Sequence, residues 1–145
     1  MLNKTLCALF IAVGLVGCAS VPMGDAQKDQ QLKSFAAKPD SSGIYIYRNE
    51  SMGAAVGMNV TVDGYLLGKT GAHTYLYKEV PPGKHVITSA AENTDSIEIT
   101  TAPGKLYYIW QEVKMGLLYA RTKLHLVGEE EGRKGVRESA LAESR

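Results

Sequence analysis

The stretch Asn59-Val60-Thr61-Val62-Asp63-Gly64-Tyr65-Leu66-Leu67-Gly68-Lys69 decides the fold. Val60 and Val62 alternate with Thr61, the period of a strand with one buried face. Asp63-Gly64 then supplies two residues that tolerate positive φ, which a tight two-residue hairpin turn requires. Tyr65 to Lys69 returns as the second strand. The unit is a β-hairpin, and the flanking sequence repeats its grammar.

Upstream, Ile44-Tyr45-Ile46-Tyr47-Arg48 is β-branched and aromatic, the composition of a strand. A Gly/Ala/Ser/Met connection over residues 49–57 links it to the hairpin. Downstream, residues 73–80 form another strand, and Pro81-Pro82-Gly83-Lys84 forces a turn because Pro presets φ and Gly accepts the left-handed position. Residues 85–90 and 96–100 follow, joined through Glu92-Asn93-Thr94-Asp95. Ala102-Pro103-Gly104-Lys105 is a further turn, and residues 106–113 and 119–127 close the set. About eight short strands with turns every 8–12 residues predict an all-β fold, a small antiparallel β-sandwich or open barrel. No segment between 43 and 127 carries a helical period.

The chain has 145 residues, 16 Lys+Arg against 15 Asp+Glu and 2 Cys. A nearly neutral balance excludes a protein that coats nucleic acid, and two cysteines cannot make a disulfide framework. The N-terminus differs from the rest. One basic residue, Lys4, precedes an apolar run of eleven residues from Leu6 to Val16. As a helix it would be roughly 16 Å long, too short for a hydrocarbon core of about 30 Å. This is the pattern of a signal peptide.

The run ends in Leu15-Val16-Gly17-Cys18-Ala19-Ser20. That junction resembles the bacterial lipobox, a branched apolar residue and two small or apolar residues before cysteine. The resemblance implies lipidation of Cys18 with diacylglycerol and cleavage before it; a plain secretory signal is the alternative. The expected partner is then a membrane, held through the covalent lipid. Ala19 and Ser20, in place of an Asp retention signal, imply the outer membrane, facing the periplasm. Cys7 would leave with the signal, and loss of Lys4 would leave 15 basic and 15 acidic side chains. The chain thus divides into a signal peptide (1–17), a lipidated cysteine and flexible tether (18–42), a β-sandwich (43–127) and a charged tail (128–145). Residues 25–37 suit a fragile helix, but Leu32 and Phe35 are too few for a buried stripe. As a coil, residues 19–42 would span roughly 25–30 Å. In the tail, a short exposed helix over 137–143 and disorder are the alternatives.

Several motifs in order carry a second resemblance: Ile44 to Arg48, Val60-x-Val62-Asp63-Gly64, Gly68, Val80-Pro81-Pro82-Gly83-Lys84-His85, Gly104-Lys105-x-Tyr107-Tyr108 and Glu130-Glu131-Gly132. Over roughly residues 43–132 the chain resembles the bacterial lipoprotein family called domain of unknown function 2846. The middle portion is also similar to PEGA-type surface β-domains. Both imply a β-sandwich, and neither implies a reaction.

Enzyme chemistry finds little support, and no enzyme, metal or cofactor is expected. His73, His85 and His125 fall on three predicted strands without metal-ligand spacing, so they read as structural or solvated. His85 is expected to bond the backbone of the Pro-Pro-Gly turn. No Gly-x-Ser-x-Gly elbow, phosphate-cradling loop or converging carboxylate pair appears. If a fold-assembled enzyme site existed, His85, His125 and a nearby carboxylate would be its members. Aromatics are the stronger signal. Tyr45 and Tyr47 share one face, opposite Ile44 and Ile46, and Tyr108 shares a face with Trp110. With the isoleucines in the core, Tyr45, Tyr47, Arg48, Tyr108 and Trp110 form a candidate binding surface for an envelope protein or a glycan. The default reading of the same rings is cross-strand aromatic pairing. Arg48 could lie over a Tyr ring, and the 49–57 loop reads as mobile, docking on a partner or capping one end. The expected role is a binding or structural module of the envelope. An envelope enzyme and a passive assembly or stress factor are the alternatives.

Overall fold

The computed structural model describes residues 21–145. Cys18 and the signal segment lie outside the described residues. The elements run α1 (Ala26–Leu32), β1 (Ser42–Arg48), β2 (Met58–Val62), β3 (Tyr65–Thr70), β4 (Thr74–Val80), β5 (Gly83–Ala90), β6 (Thr94–Thr101), β7 (Lys105–Met115), β8 (Ala120–Val127), α2 (Glu129–Arg137) and β9 (Ala140–Leu141). Two sheets face each other, ordered β8-β7-β1-β4-β9 and β3-β2-β5-β6. The expected all-β sandwich forms, and it does not close into a barrel.

The hairpin that decided the fold is β2–β3, and its turn residues Asp63 and Gly64 take φ of 52° and 83°. The two proline-containing turns do a different job. Residues 81–82 carry the chain from β4 in the large sheet to β5 in the small one. Residues 102–104 carry it back from β6 to β7. The pairing is not purely antiparallel: β1 pairs β7 in parallel, from Ser42↔Lys105 to Tyr47↔Trp110, and β9 pairs β4 in parallel. Because β2 and β3 go to the opposite sheet, one edge of β1 is open to a strand that arrives later, and the crossover fixes its direction.

Between the sheets lies the main core. Ile44, Ile46, Leu76 and Ile109 from one sheet meet Val60, Leu67, Ile87 and Ile99 from the other. At one end that core turns polar. Thr70 donates to Gln111 (2.6 Å), Gln111 donates to Ser89 (2.6 Å), and the Ser89 and Thr122 hydroxyls are 2.7 Å apart. All four residues are buried, so each bond satisfies groups that would otherwise be stranded.

The large sheet is covered on its other face too, so every residue of β1 is buried. A second core of Phe35, Tyr45, Tyr47, Tyr75, Tyr108, Val136 and Leu141 fills that face. Residues outside the 43–127 sandwich roof it. The segment drawn above as a flexible tether packs from Val21 onward: α1 is capped by Asp25 (2.9 Å to the Lys28 N–H), and Phe35 is 7% exposed. The tail drawn as exposed or disordered forms α2 over Glu129–Arg137, not over 137–143, and then strand β9. Its small residues Gly132 and Gly135, with Val136, turn toward the sheet. A Cβ on Gly132 would overlap Tyr108, and one on Gly135 would overlap the Tyr47 ring, so glycine is what lets the helix sit this low.

Candidate functional site

The proposed aromatic surface is not a surface. Tyr45, Tyr47 and Tyr108 are no more than 2% exposed, and Arg48 is wholly buried. The rings form rungs across three strands instead: Tyr77–Tyr45–Tyr108 and Tyr75–Tyr47–Trp110. Tyr45 stacks on Tyr108 at 5.2 Å and meets Tyr77 at 4.8 Å, so the pairing reading holds. The Tyr45 hydroxyl donates to the Leu32 carbonyl (2.7 Å) and that of Tyr75 to the Asp29 carboxylate (2.6 Å). Burial pushes both phenols well above their ordinary pKa, in Tyr75 with help from Asp29, so they remain donors. Trp110 is half-buried, stacked on His125 at 4.9 Å, with its indole nitrogen enclosed and unpartnered.

Arg48 does not lie over a tyrosine. It follows Ile44 and Ile46 in the period-2 count and so points between the sheets. Its guanidinium donates to the carbonyls of Val56 (2.6 Å) and Gly53 (2.6 Å), and at longer range to Thr70 and Met52 (both 3.4 Å). Desolvation pulls its pKa below the ordinary arginine value. The 49–57 loop is therefore strapped down by a buried arginine. Gly53 packs against Val113 and Ala120, which places the loop beside the turn end of the β7–β8 hairpin.

His85 behaves as its position after the turn predicts. Its Nε2 is 2.6 Å from the Pro81 carbonyl and its Nδ1 is 2.6 Å from the Asp63 carboxylate. An ionised carboxylate and a carbonyl only accept, so making both bonds at once calls for the protonated ring, an imidazolium with two N–H donors. Burial opposes this charge, but the Asp63 and Pro81 bonds outweigh it and raise the pKa. Asp63 also accepts from the Val86 N–H (2.9 Å). The hairpin tip is thus riveted to β5. His125 binds Glu112 instead (2.7 Å), and His73 meets the Ser51 hydroxyl (2.8 Å). His85 and His125 stand in different sheets, each with its own carboxylate. Among the described residues, no three His, Cys, Asp or Glu side chains form a metal-sized group.

What stands out on the surface is the β7–β8 turn, which no sequence motif marks. Met115, Leu117 and Leu118 are 82%, 95% and 87% exposed, and Tyr119 is half exposed. The turn is not loose. Glu92, from the β5–β6 connection of the other sheet, accepts the N–H groups of Leu117 (3.0 Å), Leu118 (3.1 Å) and Tyr119 (3.1 Å). These bonds, led by Tyr119, hold the Glu92 carboxyl below the usual carboxylate range. A Cβ at Gly116 would collide with that carboxylate. Asn93 clasps both backbone groups of Thr122 (2.9 and 2.8 Å), and Asp95 accepts the Leu124 N–H (2.8 Å). The segment read as a simple joint therefore fixes β8 and presents four apolar side chains on a rigid tip. The available signal was compositional: Met115-Gly116-Leu117-Leu118 is apolar where a turn is ordinarily polar.

These features define a class: a two-sheet sandwich whose outer aromatic face is sealed by its own N- and C-terminal segments, with an apolar hairpin tip left out. The family model described as "protein of unknown function (DUF2846)" matches residues 38–122, and the chain belongs to that family. It is also 32% identical over 136 residues to a Haemophilus influenzae protein described as uncharacterized, covering 92% of this chain and 81% of that one. Among the described residues no helix is long and apolar enough to cross a membrane.

Proposed function

We propose that this protein is an envelope lipoprotein, anchored through Cys18 in the outer membrane and facing the periplasm, whose sandwich is a binding module. The lipobox-like junction Leu15 to Ser20 supports the anchor. The observation that carries the binding role is the β7–β8 tip. Water-exposed Leu117 and Leu118 lose roughly 25 cal/mol per Å² of burial they would have in a core. A chain that spends Glu92 on holding them outward gains from it when the tip enters an apolar pocket of another envelope protein. Lys114, Arg121 and Lys123 flank the tip and are exposed, so an acidic rim around that pocket fits.

The test is photocrosslinking in living cells from a reactive side chain at position 118, with position 84 as the control surface. A discrete adduct from 118, absent from 84 and lost in C18A, is expected. Adducts no different from those at 84 would end the tip-binding reading.

A further inference from the structure

The reach of the anchor sets how the domain must lie. The described residues begin at Val21, which is buried in the main core. Pro22 accepts the Glu143 N–H (2.8 Å), Met23 bridges Ala142, and the Gly24 N–H donates to Leu141 (2.8 Å). The chain is thus fixed along β9 from Val21 onward. Only Ala19 and Ser20 stand between Val21 and Cys18. Three residue steps extend at most about 11 Å. That is little more than the depth of a head-group layer. No slack of 25 Å exists to lift the sandwich clear.

The surface beside that attachment suits a bilayer. Pro22, Leu66, Lys69 and Arg145 line one cleft, and Tyr65, Lys78 and Arg145 line the adjoining one. Tyr65 is 81% exposed and Leu66 38%. Among the described residues Lys69, Lys78 and Arg145 make no ion pair, whereas Asp63 is held by His85 and Glu79 by Lys38. Glu143 is the one acidic side chain lining the first cleft.

Resting on the anchor reading above, we infer that the β3–β9 edge lies flat on the membrane that holds Cys18, with Tyr65 and Leu66 at head-group depth and Lys69, Lys78 and Arg145 on the phosphates of anionic lipids. Tyrosine suits that depth, with an apolar ring and a wet hydroxyl, and cations there meet the negative surface potential. The β7–β8 tip then points elsewhere. Three to four strand spacings of about 4.8 Å separate β9 from β7 and β8. Met115 also lies five residues beyond Trp110, the residue that pairs with Tyr47. The two surfaces divide the work, one for lipid and one for a partner protein.

The experiment uses the full chain, produced with its signal and reconstituted into vesicles of phosphatidylethanolamine with phosphatidylglycerol. Single cysteines at 65 and 117 carry a nitroxide, and Tyr65 is exposed enough for Y65C to leave the fold intact. Collision with a water-soluble nickel complex is compared with collision with oxygen. The expected result is several-fold protection from nickel at 65 relative to 117, weakened in a K69E/K78E/R145E background. Equal nickel access at 65 and 117 in a sample whose mass shows the lipid on Cys18 would overturn the inference alone. A sample without that lipid would overturn the anchor reading and this inference with it.

Discussion

Replacing Gly135 with alanine sets two opposed effects against each other on one residue. In the interior of a helix, alanine is better than glycine by about 1 kcal/mol. If α2 were a solvated tail helix, G135A would stabilise it. The structure predicts the opposite sign. The added methyl would overlap the Tyr47 ring, with Cδ2 and Cζ at 2.5 Å, where carbon atoms prefer about 3.5–4.0 Å. Tyr47 has no room to retreat, since it is 2% exposed and flanked in register by Tyr75 and Trp110. The helix must rise by about an ångström, and Val136 loses its seat against the second core. Overpacking costs about 1–3 kcal/mol, and an overlap this deep on an enclosed ring takes the upper part of that range, about 2–3 kcal/mol. After the helical gain is subtracted, a net loss of about 1–2 kcal/mol remains, a fall in Tm of roughly 3–8 °C for a domain of this size. Urea and thermal unfolding followed by circular dichroism read it directly. Gly128→Ser is the control, because nothing lies near Gly128 and a serine N-cap gains a few tenths of a kcal/mol. A G135A protein as stable as the parent, or more so, would refute the roofed aromatic face.

Other outcomes follow from the remaining contacts. Arg48→Met strands the carbonyls of Gly53 and Val56 and should cost on the order of 3 kcal/mol in urea unfolding; Arg48→Lys should recover little, because an ammonium cannot span both. His85 has a folded pKa raised above its unfolded value of about 6.5. Its contribution is therefore complete below that pH and is lost as pH rises through the folded value. Stability should decline over that window, and H85Q should flatten the slope; an equal slope in both proteins would contradict the imidazolium rivet. Glu92→Gln should speed amide exchange at Leu117, Leu118 and Tyr119 while the core amides stay protected. Unchanged exchange at those three would show that the tip is held by something else.

What could be read from residues alone follows a physical line. Local turn chemistry was legible, so the Asp63-Gly64 hairpin, the strand sequence and the His85 bond to the turn backbone all appear as expected. Period-2 alternation was legible, and carried one residue past Ile44 and Ile46 it places Arg48 inside with them. Long-range pairing was not legible. The parallel partnership of β1 with β7 depends on which sheet each crossover enters, and no local propensity encodes that. The roof was hidden for a related reason. A helix of sequence Glu-Glu-Glu-Gly-Arg-Lys-Gly-Val-Arg looks solvated, because its buried face is built from Gly132, Gly135 and Val136. Small residues at that spacing signal close approach, not exposure. The continuous apolar run of β1 pointed the same way, since a strand buried on both faces does not alternate.

The most direct test of the account is the intact mass of the protein extracted from membranes of the cells that make it. Lipidation of Cys18 predicts a chain beginning at that residue and carrying a diacylglyceryl thioether, with the C18A protein unlipidated and released from the membrane. A chain that retains residues 1–17, or one that starts elsewhere and carries no lipid, would contradict it.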